Sequence, residues 1–245
     1  MRFGSGLIAA LWLTTPILAA QARDGAATTA AEPQSASDAL RAAAEAIDPL
    51  GQAAEAEAAW KTYLEALETS GGSAEDQAFA LNRMGDSRYY QQDGQTALEA
   101  SLEARRRLEE AGATAGEAMA DTLANLATFY GVVGESDQEL PLQEQSLAIR
   151  KRLYGDNPIG LPASEAKSLG LGYLNYANAL YVNGRFAEAA DLIKPSVDGL
   201  IEGQLQDATL FVAMSSGANM LSDAGRQVEA LDMAQRGVAI ATELL

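Results

Sequence analysis

The chain contains no histidine and no cysteine among its 245 residues. These two absences remove Ser-His-Asp and Cys-His catalysis, disulfides, covalent haem attachment, and zinc sites built from imidazole or thiolate. With no covalent cross-link available, the fold must be held by packing alone. Basic residues are also scarce. Seventeen Lys and Arg stand against 34 Asp and Glu, giving a formal net charge of −17 and a pI near 4.3. Such a surface repels phosphate backbones and anionic lipid heads, which argues against nucleic-acid and membrane-surface partners. No Gly-rich phosphate loop is present, and acidic residues are spread along the chain rather than gathered. Asp156, in the string YGDNP, reads as a turn residue before it reads as a metal ligand. No catalytic residue, metal ligand or cofactor is predicted, and the balance favours a binding or structural protein over an enzyme.

The N-terminus carries the marks of an export signal. Arg2 supplies a positive start, residues 6–20 (GLIAALWLTTPILAA) form an uncharged apolar run, and Ala20-Gln21-Ala22 places small residues where a signal peptidase reads. The run has 15 residues, short of the roughly 20 that a spanning helix needs. The expectation is cleavage after Ala22, export to a bacterial periplasm, and no membrane insertion once the segment is removed. An uncleaved anchor is the alternative. Residues 23–36 (RDGAATTAAEPQSA) are small, polar and aperiodic, and read as a disordered linker. Ser37 or Asp38 is the expected first helix cap.

Beyond residue 36 the chain repeats. Ala/Leu/Glu-rich segments with a period near 3.6 predict helices, and no segment alternates like a strand. Small residues occupy the middle of alternate helices at Ala44, Gly85, Ala127, Ala177 and Ala218, spaced by 41, 42, 50 and 41 residues. Seven residues after four of them comes a glycine: Gly51, Gly134, Gly184 and Gly225. Twelve residues after all five comes a second-helix position: Ala56, Ala97, Glu139, Ala189 and Ala230. Antiparallel helices cross closely only over small side chains, and a left-handed glycine ends the first helix. Each hairpin leaves one face uncovered, so neighbours must stack.

This pattern resembles tetratricopeptide repeats, and in particular the long repeats of kinesin light chain. Residues 123–158 (LANLATFYGVVGESDQELPLQEQSLAIRKRLYGDNP) are similar to the family's run of a first helix, a G-turn, a second helix ending S-L-x-I-R and a closing G-x-x-H-P loop. Residues 173–197 match the same frame. The implied fold is all-α: a right-handed α-solenoid of about five helix-turn-helix, TPR-like repeats over residues 37–245. Three departures stand out. Glu139 sits where a small residue belongs, Asn157 replaces the loop histidine, and Gln92 stands at a glycine position, with Gly94 expected to make that turn. The 50-residue spacing predicts an added loop at about 155–167.

In such repeats the first helices line a groove, so the resemblance implies protein or peptide binding there. The candidate groove residues are Asn82, Asn125, Asn175, Asn178 and Asn219, with Tyr89, Tyr90 and Tyr181. Asparagine offers a donor and an acceptor and can pair with both halves of a peptide bond. The expected function is a non-enzymatic exported scaffold. The alternatives are the frame of an enzyme or of a polysaccharide-processing or secretion complex, and a homo-oligomerisation module. Two basic clusters, Arg105-Arg106-Arg107 and Arg150-Lys151-Arg152, read as solvated ion-pair faces more readily than as anion sites. In the first, Glu103/Arg107, Arg105/Glu109 and Arg106/Glu110 are i,i+4 neighbours.

The last helix presents an unusually wide apolar arc. Over residues 228–245, Val228, Leu231, Val238 and Leu245 form one row, and Met233, Ile240 and Leu244 form another. One row can pack on residues 208–222. The other, assigned to Met233, Ile240 and Leu244, is expected to meet a second copy in a homodimer, or a partner protein.

Overall fold

The computed structural model describes residues 36–205 and 208–243. The expected signal segment and most of the linker lie outside the described residues, as do Leu244 and Leu245. Among the described residues there are ten α-helices and no strand: α1 Ala36–Glu45, α2 Ala53–Ser70, α3 Ala74–Tyr90, α4 Gly94–Glu110, α5 Glu117–Val132, α6 Glu139–Tyr154, α7 Ala163–Val182, α8 Phe186–Glu202, α9 Ala208–Asp223 and α10 Gln227–Glu243. They are five consecutive helix hairpins, so the fold class is the all-α repeat of solenoid type read from the sequence. None of these helices is long and apolar enough to cross a membrane.

The repeat register is kept to the residue. Helices α2, α4, α8 and α10 each begin nine residues after the small residue of the preceding helix. The small positions are buried on both helices: Ala44, Ala56, Ala97, Ala127, Ala177 and Ala189 are at most 1% exposed. Ala218 is the half-buried exception. Hairpin three departs in the way Glu139 demands. Residues Ser136–Gln138, which would start its second helix, form a 3-10 turn, and α6 begins only at Glu139. The half-buried Glu139 carboxyl is pushed above the usual carboxylate range by desolvation.

Three of the expected turn glycines are left-handed, with φ of 88° at Gly134, 75° at Gly184 and 81° at Gly225. Two turn assignments are corrected. Gln92 itself takes the left-handed conformation at φ 64°, while Gly94 is the first residue of α4, where a Cβ would press on Val132 Cγ1 at 2.6 Å. Gly51 is not left-handed and lies in the link after α1, which ends at Glu45. Ser37 and Asp38 fall within the first turn of α1 instead of capping it. Side-chain caps come from Ser73, whose Oγ accepts from Asp76 N at 3.0 Å, and Asp93, whose Oδ1 accepts from Thr96 N at 3.2 Å. The insertion before hairpin four is shorter as a loop than expected. It covers 155–162, and the rest lengthens α7 to 20 residues. There Asn157 Oδ1 accepts from Ile159 N at 3.1 Å, a local turn bond in place of the family's histidine.

The chain divides into two compact units. The first holds α1–α4 with residues 128–136. Its core sets Trp60 edge-on to Phe79 and Tyr63, with centroids 5.4 and 6.0 Å apart. Phe129 is fully buried and meets Gly85, the small residue of α3. The second holds residues 114–127 and everything from Asp137 onward. In it Leu147, Leu169 and Tyr173 pack with Tyr154, Leu161, Tyr176 and Leu192. Its tightest helix crossing is glycine on glycine: a Cβ at Gly170 would lie 2.8 Å from Leu200 N, and one at Gly199 would lie 2.7 Å from Gly170 Cα.

Candidate binding face of the first helices

Position around each first helix decides which expected groove residues can face a ligand. A residue two before the small contact residue lies about 160° away from the partner helix, whereas three before or four after lies within about 60° of it. Asn125 and Asn175 are in the first class, and both are half-buried on the side away from the second helix. Asn82 is in the second class, and the structure removes it from the groove. It is 2% exposed and accepts a 3.4 Å hydrogen bond from Ser101 Oγ of α4. Tyr89 is likewise turned inward, stacking at 6.1 Å on Phe129, and burial raises its pKa. Its neighbour Tyr90, in edge contact at 5.6 Å, is pushed upward by burial and then by Asp86.

In the second unit the candidates gather on consecutive first helices, with Asn125 on α5, Asn175 and Asn178 on α7, and Asn219 on α9. Asn219 is exposed, while Asn178 is half-buried. The Asn178 Oδ1 atom is buried and, among the described residues, accepts no hydrogen bond. Tyr181 reaches across to α9, donating to Asp223 Oδ2; that bond first, and burial second, push its pKa up to about 12. That bond ties the two first helices together at their turn ends, and the Tyr181 ring meets Phe186 of α8 edge-on at 5.2 Å.

The other ends are tied by a residue the sequence reading misplaced. Arg150 is not a solvated cation: its side chain is 5% exposed and reaches three helices. Its guanidinium donates to Asp121 Oδ1 at 2.5 Å and Ala120 O at 3.5 Å on α5, to Ser146 Oγ on its own helix, and to Ser168 Oγ at 2.9 Å on α7. Glu117 completes the cluster, 3.4 Å from Arg150 Nε while accepting from Ser168 Oγ and from Tyr154 Oη at 2.7 Å. Gly172 leaves room for it, since a Cβ there would meet Arg150 Cδ at 2.9 Å. The sequence signal was that glycine, set in the helix facing the arginine.

The remaining basic residues behave as expected. Lys151 pairs with Asp156 at 2.6 Å, and Asp156 O accepts from Tyr173 Oη at 2.7 Å, so Asp156 serves the turn. Arg152 is exposed. All three expected pairs of the 105–107 cluster form, at 2.6 Å for Arg105–Glu109, 2.5 Å for Arg106–Glu110 and 2.8 Å for Arg107–Glu103. Hydrogen bonds from Arg106 and then Arg107 hold the Glu103 carboxyl down to about 2. Arg107 also bridges to Glu68 of α2 at 2.7 Å.

Residues 119–159 match the family described as Tetratricopeptide repeat. The chain is similar in fold to BtubC (BKLC) from P. vanneervenii, at TM-score 0.67 and 15% identity over 84% of this chain and 79% of that one. A Podosopora anserina kinesin light chain of nearly identical TPR-like repeats aligns with TM-score 0.57 and 17% identity, over 85% of this chain and 94% of that one. Rap protein, solved in complex with Competence and Sporulation Factor, aligns with TM-score 0.62 and 18% identity over 79% of this chain and 50% of that one. No curated protein matches the chain by sequence. The likeness to kinesin-light-chain repeats read from residues 123–158 therefore holds for the fold of the chain.

Proposed function

We propose that the protein is a non-enzymatic scaffold that holds an extended segment of another protein against the first helices of its second unit. The observation that carries this reading is that Asn125 and Asn175, half-buried, stand at the same position of successive first helices, on the side turned away from the second helices. Each of these amides offers a donor and an acceptor to a peptide bond, and asparagines on successive helices repeat the offer along a strand-like ligand. That a similar fold was solved holding a factor supports use of this architecture for binding. Asn125→Ala with Asn175→Ala is expected to weaken the complex by about 1–3 kcal/mol, with circular dichroism unchanged. The partner is captured from a periplasmic extract, and its binding segment is synthesised and titrated by calorimetry. An unchanged affinity overturns the reading.

The scaffold works outside the cytoplasm in this proposal, in a bacterial periplasm, because Arg2, the apolar run at 6–20 and Ala20-Gln21-Ala22 have the order of a cleavable signal. Mass spectrometry of the protein from its native host is expected to find an N-terminus at Arg23. Material beginning at Met1 would show that the segment is retained.

A further inference from the structure

The free face of the first helices in the second unit is one-sided in charge. Asn125 and Asn175 set the line of that face, each two residues before the small contact residue of its helix. Among the described residues of α5, α7 and α9, the only ionised side chains within about 60° of that line are Asp121 and Asp223. Asp121 keeps 39% of its side-chain surface, and Asp223 is exposed. Neither charge is fully neutralised. Arg150 is shared between Asp121 and Glu117, one guanidinium against two carboxylates. Asp223 accepts from Tyr181, whose hydroxyl carries no charge. The cations of the second unit lie elsewhere: Arg150, Lys151, Arg152, Lys194 and Arg236 on second helices, Arg185 and Arg226 beside turns. Lys167 belongs to α7 but lies towards the end of α8, since a Cβ at Gly203 would meet Lys167 Cβ at 2.6 Å.

We propose, on the reading of this face as a peptide site, that the segment it holds is basic, with one Lys or Arg side chain at Asp223 and another at Asp121. An acidic segment would meet only like charge there, and such juxtaposition is what suppresses wrong partners. The asparagines pair with backbone whatever its sequence, so the two carboxylates are left to choose the side chains. The surroundings of Asp223 suit a long basic residue. Val182, 65% exposed, holds on α7 the repeat position that Asp223 holds on α9, five residues after the small one. An aliphatic stem can lie along this valine while its charged head reaches the carboxylate. Asp121 and Asp223 stand on the outer two of three successive first helices, six residues before the small residue of α5 and five after that of α9. Packed helix axes 8–10 Å apart and a rise of 1.5 Å per residue put them roughly 25 Å from each other. That is the span of about seven extended residues, so the two basic side chains are set about that far apart in the ligand.

The probe is a displayed library of random dodecapeptides, selected on the purified protein at about 50 mM salt, with the winners synthesised and titrated. They are expected to carry net positive charge, with Lys or Arg about seven residues apart. Asp223→Asn keeps an acceptor for Tyr181 while removing the charge, and is expected to weaken such a peptide several-fold. Asp121→Asn should do the same, and the pair together should cost roughly tenfold. At about 500 mM salt both losses should shrink, because exposed charges are then screened. A peptide whose lysine is exchanged for glutamate should bind wild type poorly and recover on Asp223→Lys. Urea melts check that Asp121→Asn, which touches Arg150, remains folded; Asp223→Asn decides the matter without it. Neutral or acidic winners that still lose affinity on Asn125→Ala with Asn175→Ala overturn the charge assignment and leave the peptide site standing. Basic winners indifferent to both aspartates overturn it equally. Winners indifferent to the asparagines, or no winners, overturn the peptide site itself and the proposal with it.

Discussion

Arg150→Ala is expected to lower the unfolding free energy by about 2–4 kcal/mol, read as a lower urea midpoint at unchanged slope. Removing one member of a fully buried ion pair costs about 3–5 kcal/mol, because the remaining charge stays desolvated. Here the carboxylates left behind, Glu117 and Asp121, keep 34 and 39% of their side-chain surface, so water recovers part of the loss. Against that relief stands the space vacated beside Gly172, while the buried Ser146 Oγ keeps its 2.7 Å hydrogen bond to Ala120 O. Arg150→Lys is expected to recover little. One ammonium cannot meet acceptors on α5, α6 and α7 at once as a planar five-donor group does. Arg150→Met restores most of the volume but none of the donors, so its shortfall from wild type measures the polar network alone. If methionine matches arginine, the cluster contributes no stability and only fills space.

What the sequence disclosed follows from what repeats. Small residues at fixed offsets report helix crossings because only a repeated backbone geometry keeps a distance of nine or twelve residues. Four of the five second helices accordingly begin at the same offset from the small residue. Substitutions inside a repeat were less legible, since they alter local geometry without altering the period. Gln92 adopts a left-handed φ that glycine was expected to supply elsewhere, and Glu139 is accommodated by winding the preceding residues as a 3-10 turn. The site was half legible. Asn125 and Asn175 could be assigned to the free face from angle alone, and the same angle, had it been applied to Asn82 and Tyr89, would have turned them inward. Arg150 could not be separated from Lys151 and Arg152 by composition, because its burial depends on residues 18 to 30 positions away. On α10 two apolar rows were visible, but the row expected to be free is the inward one: Met233 is 6% exposed and Ile240 half-buried, while Val228, Leu231 and Val238 face out.

Gly170→Ala is expected to destabilise the protein by about 1–3 kcal/mol, although alanine is the better helix former by about 1 kcal/mol. The two effects oppose each other, so the sign of the measured change decides which controls this site. The added methyl would lie 2.8 Å from Leu200 N, 2.9 Å from Gly199 C and 2.9 Å from Ser196 O. All three are backbone atoms of α8, and no rotamer change can move them aside. Relief requires the helices to separate, which loosens Ile193, Val197 and Leu200, all at most 1% exposed. Gly199→Ala should behave alike, meeting Gly170 Cα at 2.7 Å and Ala166 O at 2.8 Å. The two losses should not add, because once the crossing has opened for one methyl the second enters at less cost. Gly237→Ala is the contrast: its nearest obstacle is Met214 Cβ at 3.3 Å, so it should lose far less. Thermal or urea melts of the three variants and the 170/199 double test this directly. A stabilised Gly170→Ala would mean that α7 and α8 do not cross backbone to backbone in solution.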